Sequence, residues 1–283
     1  MRIAGLLEVC ADSVCSAVNA ARGGADRIEL CSALPLGGLS PDEDLFCMVR
    51  ERVDIPVRVL LRPRAGDFLY DEDEFELLCR QASRFAGLGA DGIVIGMLNP
   101  DGTLDAERMS ALMTCGDGCG VTLHRAFDVC RDAHEALRTA KKLGVDTILT
   151  SGQQARCADG APLLRELVSE SGEGLRILIG GGVNADVIRA LAPQTGADAF
   201  HLSAKAAVPS GMEFRREAVP MGAAGLNEFE LWRCDEGAVR AAREALDEAC
   251  TARKENCRQI QKVLNNNVVV ALDENGAETV LMG

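Results

Sequence analysis

Aromatic side chains are scarce in this chain of 283 residues, which has eight Phe, one Tyr and one Trp. So few rings cannot form an extended platform for stacking bases or sugars, and any ligand is expected to be small and polar. Long apolar runs are missing too. Stretches such as Gly92 to Leu98 fall far short of the roughly 20 residues that a membrane-crossing helix needs, so no membrane span is expected. Basic charge is in deficit, with 30 Lys and Arg against 43 Asp and Glu and a formal net charge of −13. Gripping a phosphate backbone depends on clustered cations, so nucleic acid is not the expected partner. The opening residues MRIAGLLEVCAD hold one Arg, an apolar stretch broken by Glu8 and no small-residue cleavage site. That is unlike a secretory signal and points to a cytoplasmic protein.

What is present is ordinary globular material, 47% apolar and 26% charged, long enough for one large core. The twelve cysteines are spread along the chain, and a reducing compartment would keep them as free thiols rather than a disulfide framework. Short Val- and Ile-rich runs, each followed by a helix-length segment, predict eight strands. They are Ile3 to Val9, Arg27 to Leu30, Val57 to Leu61, Gly92 to Ile95, Gly120 to His124, Thr147 to Leu149, Arg176 to Ile179 and Ala199 to Leu202. Such spacing suits parallel strands joined by crossover helices, so the expected fold is α/β, a closed (β/α)8 TIM-type barrel spanning residues 1–248. An open doubly wound sheet is the alternative. An internal echo supports the barrel: Gly24 to Asp26, Gly89 to Asp91 and Gly196 to Asp198 read GAD, and Gly144 to Asp146 reads GVD, each before an even-numbered strand. The Gly is expected to end a helix in a left-handed conformation and lead the chain into the strand.

Beyond the eighth strand, Glu236 to Glu248 has the spacing of an amphipathic helix that closes the barrel. Residues 249–261 are charged and polar, a helical linker, and residues 262–283 hold two strand-like runs joined at Asp273 to Gly276. That predicts a hairpin, which alone is marginal and must find a further pairing surface.

In such a barrel reactive groups sit at the carboxyl ends of the strands, and inward-facing side chains recur every second residue. This sorts the polar residues: Glu8 and Cys10 share a face on the first strand, Arg27, Glu29 and Cys31 on the second, Arg58, Leu60 and Arg62 on the third. Thr122 and His124 share one on the fifth, followed by Arg125 and Asp128, and His201 and Ser203 on the eighth, with Lys205 just beyond. Charged groups aimed inward are costly unless paired, so they should converge on one hydrogen-bonded site. A buried ion network that merely holds the barrel together would use the same residues. Five strands ending in ionisable groups favour a functional pocket, with Glu8, Glu29, His124, Asp128 and His201 as candidate catalytic groups. Gly181 and Gly182 after the seventh strand, together with Ser203 and Lys205, resemble a phosphate-binding rim. Arg62, Arg64 and Arg125 add positive charge, so a small anionic, sugar-phosphate-like ligand is expected. Cys10 and Cys31 end neighbouring strands and could hold Cu(I), or pack as two small apolar residues. Cys115 and Cys119 lack a second pair at zinc-finger spacing and are read as incidental.

These residues resemble the CutC copper-homeostasis family. The likeness rests on EVC at Glu8 to Cys10, GGADRIELCSALPLGGLSP from Gly23 to Pro41, RPR at Arg62 to Arg64 and GDFLY ending at Tyr70. It continues with HRAFD at His124 to Asp128, TSG at Thr150 to Gly152 around Ser151, the glycine triplet and HLSAK at His201 to Lys205. The resemblance implies a TIM-type barrel and copper(I) handling, with Cys10 and Cys31 matching the family's strand-end cysteines. Family members usually carry Arg where this chain has Lys205, which keeps the charge but loses the bidentate fork. A barrel enzyme acting on a small anion, or a structural or partner-binding barrel, are the other readings, and a homo-oligomer stays open. The tail from Lys262 to Gly283 resembles the opening strands of the RNA-binding domain of sugar-responsive transcription antiterminators, most closely at Leu264 to Asn267. Only about its first half is there, so RNA binding by this tail is not expected.

Overall fold

The computed structural model describes residues 5–216, 219, 227–265, 268–272 and 278–282, with side chains as far as 253. Eight parallel strands, β1 (Leu6–Ala11), β2 (Arg27–Leu30), β3 (Val57–Leu60), β4 (Gly92–Ile95), β5 (Gly120–Leu123), β6 (Thr147–Thr150), β7 (Arg176–Ile179) and β8 (Ala199–Leu202), pair in chain order. β8 returns to pair with β1, which closes the barrel and excludes the open sheet. The helices between them are α1 (Val14–Gly23), α2 (Glu43–Arg50), α3 (Glu72–Gly87), α4 (Ala106–Cys115), α5 (Ala133–Leu143), α6 (Ala161–Ser171) and α7 (Ala185–Thr195). Most begin at a short polar side chain that accepts an otherwise orphaned backbone N–H: Ser13, Asp42, Asp71, Asp105, Asp132 and Asn184.

The apolar faces of strands and helices form one large core that includes Ile28, Val59, Phe85, Ile95, Phe127 and Phe200. Two small clusters lie apart from it, Cys31 with Leu60 and Val94, and Leu149 with Leu178 and Ala199. Their period-two spacing places them inside the barrel. The rest of the interior is polar, and it builds the site.

The glycine–aspartate repeat has a structural role. Gly24, Gly89, Gly144 and Gly196 all have positive φ, from 73° to 98°, as the sequence pattern predicts. The following aspartates then tie neighbouring strands at their amino ends. Asp26 accepts the Leu7 N–H at 2.8 Å, Asp91 the Val57 N–H at 2.8 Å, and Asp146 the Val121 N–H at 2.6 Å. Each also meets an arginine, Arg243, Arg50 and Arg58 respectively.

Several boundaries differ from the sequence pattern. Residues 3 and 4 of the expected first strand lie outside the described residues, and β1 runs on to Ala11, so Cys10 falls within the strand. β5 stops before His124, which instead caps a 3-10 turn over Arg125–Val129. A ribbon absent from the sequence reading follows β8: β9 (Lys205–Pro209) pairs antiparallel with β10 (Glu230–Cys234). The closing helix and the linker are one continuous helix, α8 (Glu236–Gln259). Beyond it the hairpin of β12 (Val268–Leu272) and β13 (Glu278–Met282) gains a third antiparallel strand, β11 (Ile260–Asn265). That strand supplies the pairing surface a lone hairpin lacks.

Candidate functional site

The register of β1 sets the geometry. Glu8 stands beside Arg27 of β2 on one side and His201 of β8 on the other. Its carboxylate is fully buried and takes both: the Arg27 Nε donates to Oε2 at 2.5 Å, and His201 Nδ1 lies 2.8 Å from Oε1. Burial alone would raise the Glu8 pKa, but the Arg27 charge and then His201 outweigh it and hold the carboxyl at about 2. Burial pulls the other way on His201. Cys10, Glu29 and the hydrogen bond to Glu8 overcome it and push the imidazole well above its ordinary value, so Nδ1–H donates to Glu8.

Two residues further up the strands, Glu29 sits beside Cys10. Glu29 is 6% exposed and its Oε2 has no hydrogen-bond partner among the described residues. Burial is the main reason its carboxyl is raised to about 7, with His201 opposing and Glu8 reinforcing the shift. One donor atom from each of Glu8, Glu29 and His201 lies within 4.8 Å of the others. Cys10 and Cys31 complete this wall. Both are free, and their thiols point at carbonyls, Cys10 at Leu202 O (3.7 Å) and Cys31 at Ala11 O (3.6 Å). Burial pushes the Cys31 thiol well above its usual range, and neighbouring Cys10, Glu29 and Asp12 add to it.

A second wall centres on Arg62. Its guanidinium donates to Leu36 O, Gly38 O and Gly66 O at 3.2, 3.0 and 2.9 Å, clamping two loops of the mouth, and it lies 5.2 Å from the Phe68 ring centre. Phe68 in turn packs on His124. The His124 Nδ1 accepts the Ala126 N–H at 3.1 Å, while Nε2 is buried without a partner. Burial and then the Arg62 charge lower this imidazole to about 3, so it is neutral with its proton on Nε2.

The third group is built on Asp128. One oxygen accepts from Thr150 Oγ1 (2.5 Å) and the Gln153 N–H (3.2 Å), and the other from Ser151 Oγ (2.9 Å) and Arg125 Nε (2.7 Å). The carboxylate is thus occupied in fixing the loop after β6. Arg125 reaches Ser151 Oγ as well, at 2.8 Å. Gly181 and Gly182 both have positive φ, and a Cβ on Gly181 would come within 3.0 Å of the Ser151 Cβ. The remaining expected residues stand apart. Arg64 spends its donors on Glu74, Asp67 and the Leu69 carbonyl, and exposed Lys205 lies on the ribbon with its Nζ 5.1 Å from the Trp232 ring. Ser203 is half-buried. Arg27 falls on the inward face by its period but is not among the residues the sequence marks for the site. Its spacing of two from Glu29 was the available signal, and the strand register alone reveals that it faces Glu8.

Fold and site together define a closed (β/α)8 barrel whose interior carries buried, partly unpaired ionisable groups and two free thiols. The CutC family model matches residues 5–206, and the chain belongs to that family. Bacteroides fragilis has a family protein CutC that is 45% identical over 227 residues, covering 80% of this chain and 90% of that one. The copper homeostasis protein cutC homolog of Homo sapiens is 44% identical over 237 residues, covering 83% and 86%. A solved CutC structure from Streptococcus agalactiae superposes with a TM-score of 0.67 at 26% identity, over 70% of this chain and 98% of that one. The CAT RNA binding domain family model matches residues 259–283, where the antiterminator likeness was noted.

Proposed function

We propose that this chain serves copper homeostasis, taking Cu(I) between Cys10 and Cys31 inside the barrel. The observation that carries the reading is the placement of two buried, free thiols, Cys10 within β1 and Cys31 directly after the adjacent β2, each with a long sulfur–carbonyl contact. Soft thiolates suit Cu(I), and the names of the human and murine relatives point the same way. Loading displaces thiol protons, so apparent affinity should rise with pH by about tenfold per unit for each proton released. A competition titration against a Cu(I) chelator, on the reduced protein and on a Cys10→Ala, Cys31→Ala double variant, tests it. Equal uptake by both would refute the assignment. A cytoplasmic location fits a site that needs reduced thiols.

A second reading rests on Glu29, whose buried and unpartnered oxygen beside the Glu8–His201 pair is not needed for a two-thiol copper site. A carboxyl near neutral pKa next to an imidazolium is the equipment of proton transfer on a small bound anion. A thermal-shift screen with phosphorylated sugars and small organic acids, with and without Cu(I), separates the two. Stabilisation by one anion that vanishes in Glu29→Gln and Arg62→Ala supports the enzyme, whereas a response to Cu(I) alone supports copper handling.

A further inference from the structure

A second group of arginines lies away from the mouth. A cavity of about 520 Å³ opens at the opposite end, where the strands begin, and Arg27, Arg58, Arg176 and Arg253 all line it. Two carboxylates, Asp146 and Asp198, line it with them. Asp146 is committed to Arg58 through two contacts of 2.7 and 3.0 Å and to the Val121 N–H. Asp198 meets Arg176 only at 3.6 Å, beyond ordinary hydrogen-bond length. Arg27 is 92% buried by its 8% exposure, and its Nη2 has no partner among the described residues although Nε is held by Glu8. The lining therefore holds more positive than negative charge in a chain that is acidic overall.

We propose that this basal cavity is a second binding site, for a small phosphate-bearing anion. Planar guanidinium forks match phosphate oxygens, and Gly172 and Gly174 leave backbone accessible. One effect opposes an anion here: the carboxyl ends of α6 and α7, the negative ends of their dipoles, lie at the base. That field fades within a turn, and Arg253 covers one carbonyl there by donating to Gly196 O at 2.6 Å. Arg253 belongs to the last part of α8, which leads without a break into β11. An anion bridging Arg176 and Arg253 would tie the barrel base to the helix that enters the segment matched by the RNA-binding family model.

The test is isothermal titration of the full chain with inorganic phosphate and pyrophosphate at low ionic strength. The subjects are the unaltered protein, an Arg176→Ala, Arg253→Ala double variant and, as a control away from both ends of the barrel, an Arg80→Ala variant on α3, whose exposed side chain pairs with Glu76. Both basal arginines are exposed enough to replace without opening the core, and circular dichroism confirms folding. The double variant should bind pyrophosphate at least about tenfold more weakly, while Arg80→Ala stays within about twofold of the unaltered protein. Unchanged affinity in the double variant, an equal loss of binding in Arg80→Ala, or no binding by the unaltered protein overturns the proposal.

Discussion

Glu8→Gln is the most informative single change, because it removes one charge from a pair of buried contacts and leaves the volume intact. Glu8 is fully buried between Arg27 and His201, and its carboxyl is held at about 2 instead of the ordinary 4.5. That difference corresponds to about 3 kcal/mol of stability at neutral pH, consistent with the cost of about 3–5 kcal/mol for stripping one partner from a buried ion pair. The sign follows from the depressed value. The ionised carboxylate contributes in full above the unfolded-state pKa of 4.5 and its contribution is lost as pH falls through about 2. The variant has no such titration, so the stability gap between the two proteins should shrink to less than half by about pH 3. Urea unfolding followed by circular dichroism at several pH values measures the gap. With only three histidines in the chain, imidazole NMR reports the companion effect: Glu8 is one of the groups that raise His201, after Cys10 and Glu29, so the His201 titration should move to lower pH in the variant. A gap under about 1 kcal/mol at pH 7, or one that does not change with pH, would refute the assignment of Glu8 as the ion that holds this site together.

His124, lowered to about 3, should stay neutral with its proton on Nε2 from pH 8 down to pH 5. An NMR titration midpoint near its ordinary value would mean that water reaches the ring. Gly96→Ala would place a Cβ 2.6 Å from His124 Cε1 and 2.9 Å from the Ala126 Cβ, so it should cost about 1–3 kcal/mol by overpacking. An unaltered melting temperature would show slack that the structure does not have. Ending the chain after Gln259 should leave the barrel's thermal midpoint nearly unchanged, because β11, β12 and β13 bond to one another in a sheet of their own. A large drop would mean that this sheet contributes to barrel stability.

Much of the fold was legible because it depends on local chemistry. Val- and Ile-rich runs made strands, Asp, Ser and Asn began helices, and glycines before Asp26, Asp91, Asp146 and Asp198 ended them. The period of two also puts Glu8, Cys10, Glu29, Cys31 and His201 on inward faces. The β9–β10 ribbon was not legible. It joins residues 205–209 to residues 230–234, and the twenty residues between the two halves put the pairing beyond the reach of a local pattern.

By itself, then, the amino-acid sequence determined the number and order of the βα units and which side chains point into the barrel, since propensity, capping and periodicity act over a few residues. Tertiary structure decided what those side chains do. Asp128 is a loop anchor because Thr150, Ser151, Gln153 and Arg125 converge on it, and His124 is a neutral donor because Arg62 and Phe68 enclose it. Glu8 and Glu29 have the same chemistry in the sequence, yet they stand at about 2 and about 7. The physical reason is that burial raises both, and only Glu8 has Arg27 and His201 within hydrogen-bond reach to repay it, a pairing that exists only once β8 closes against β1.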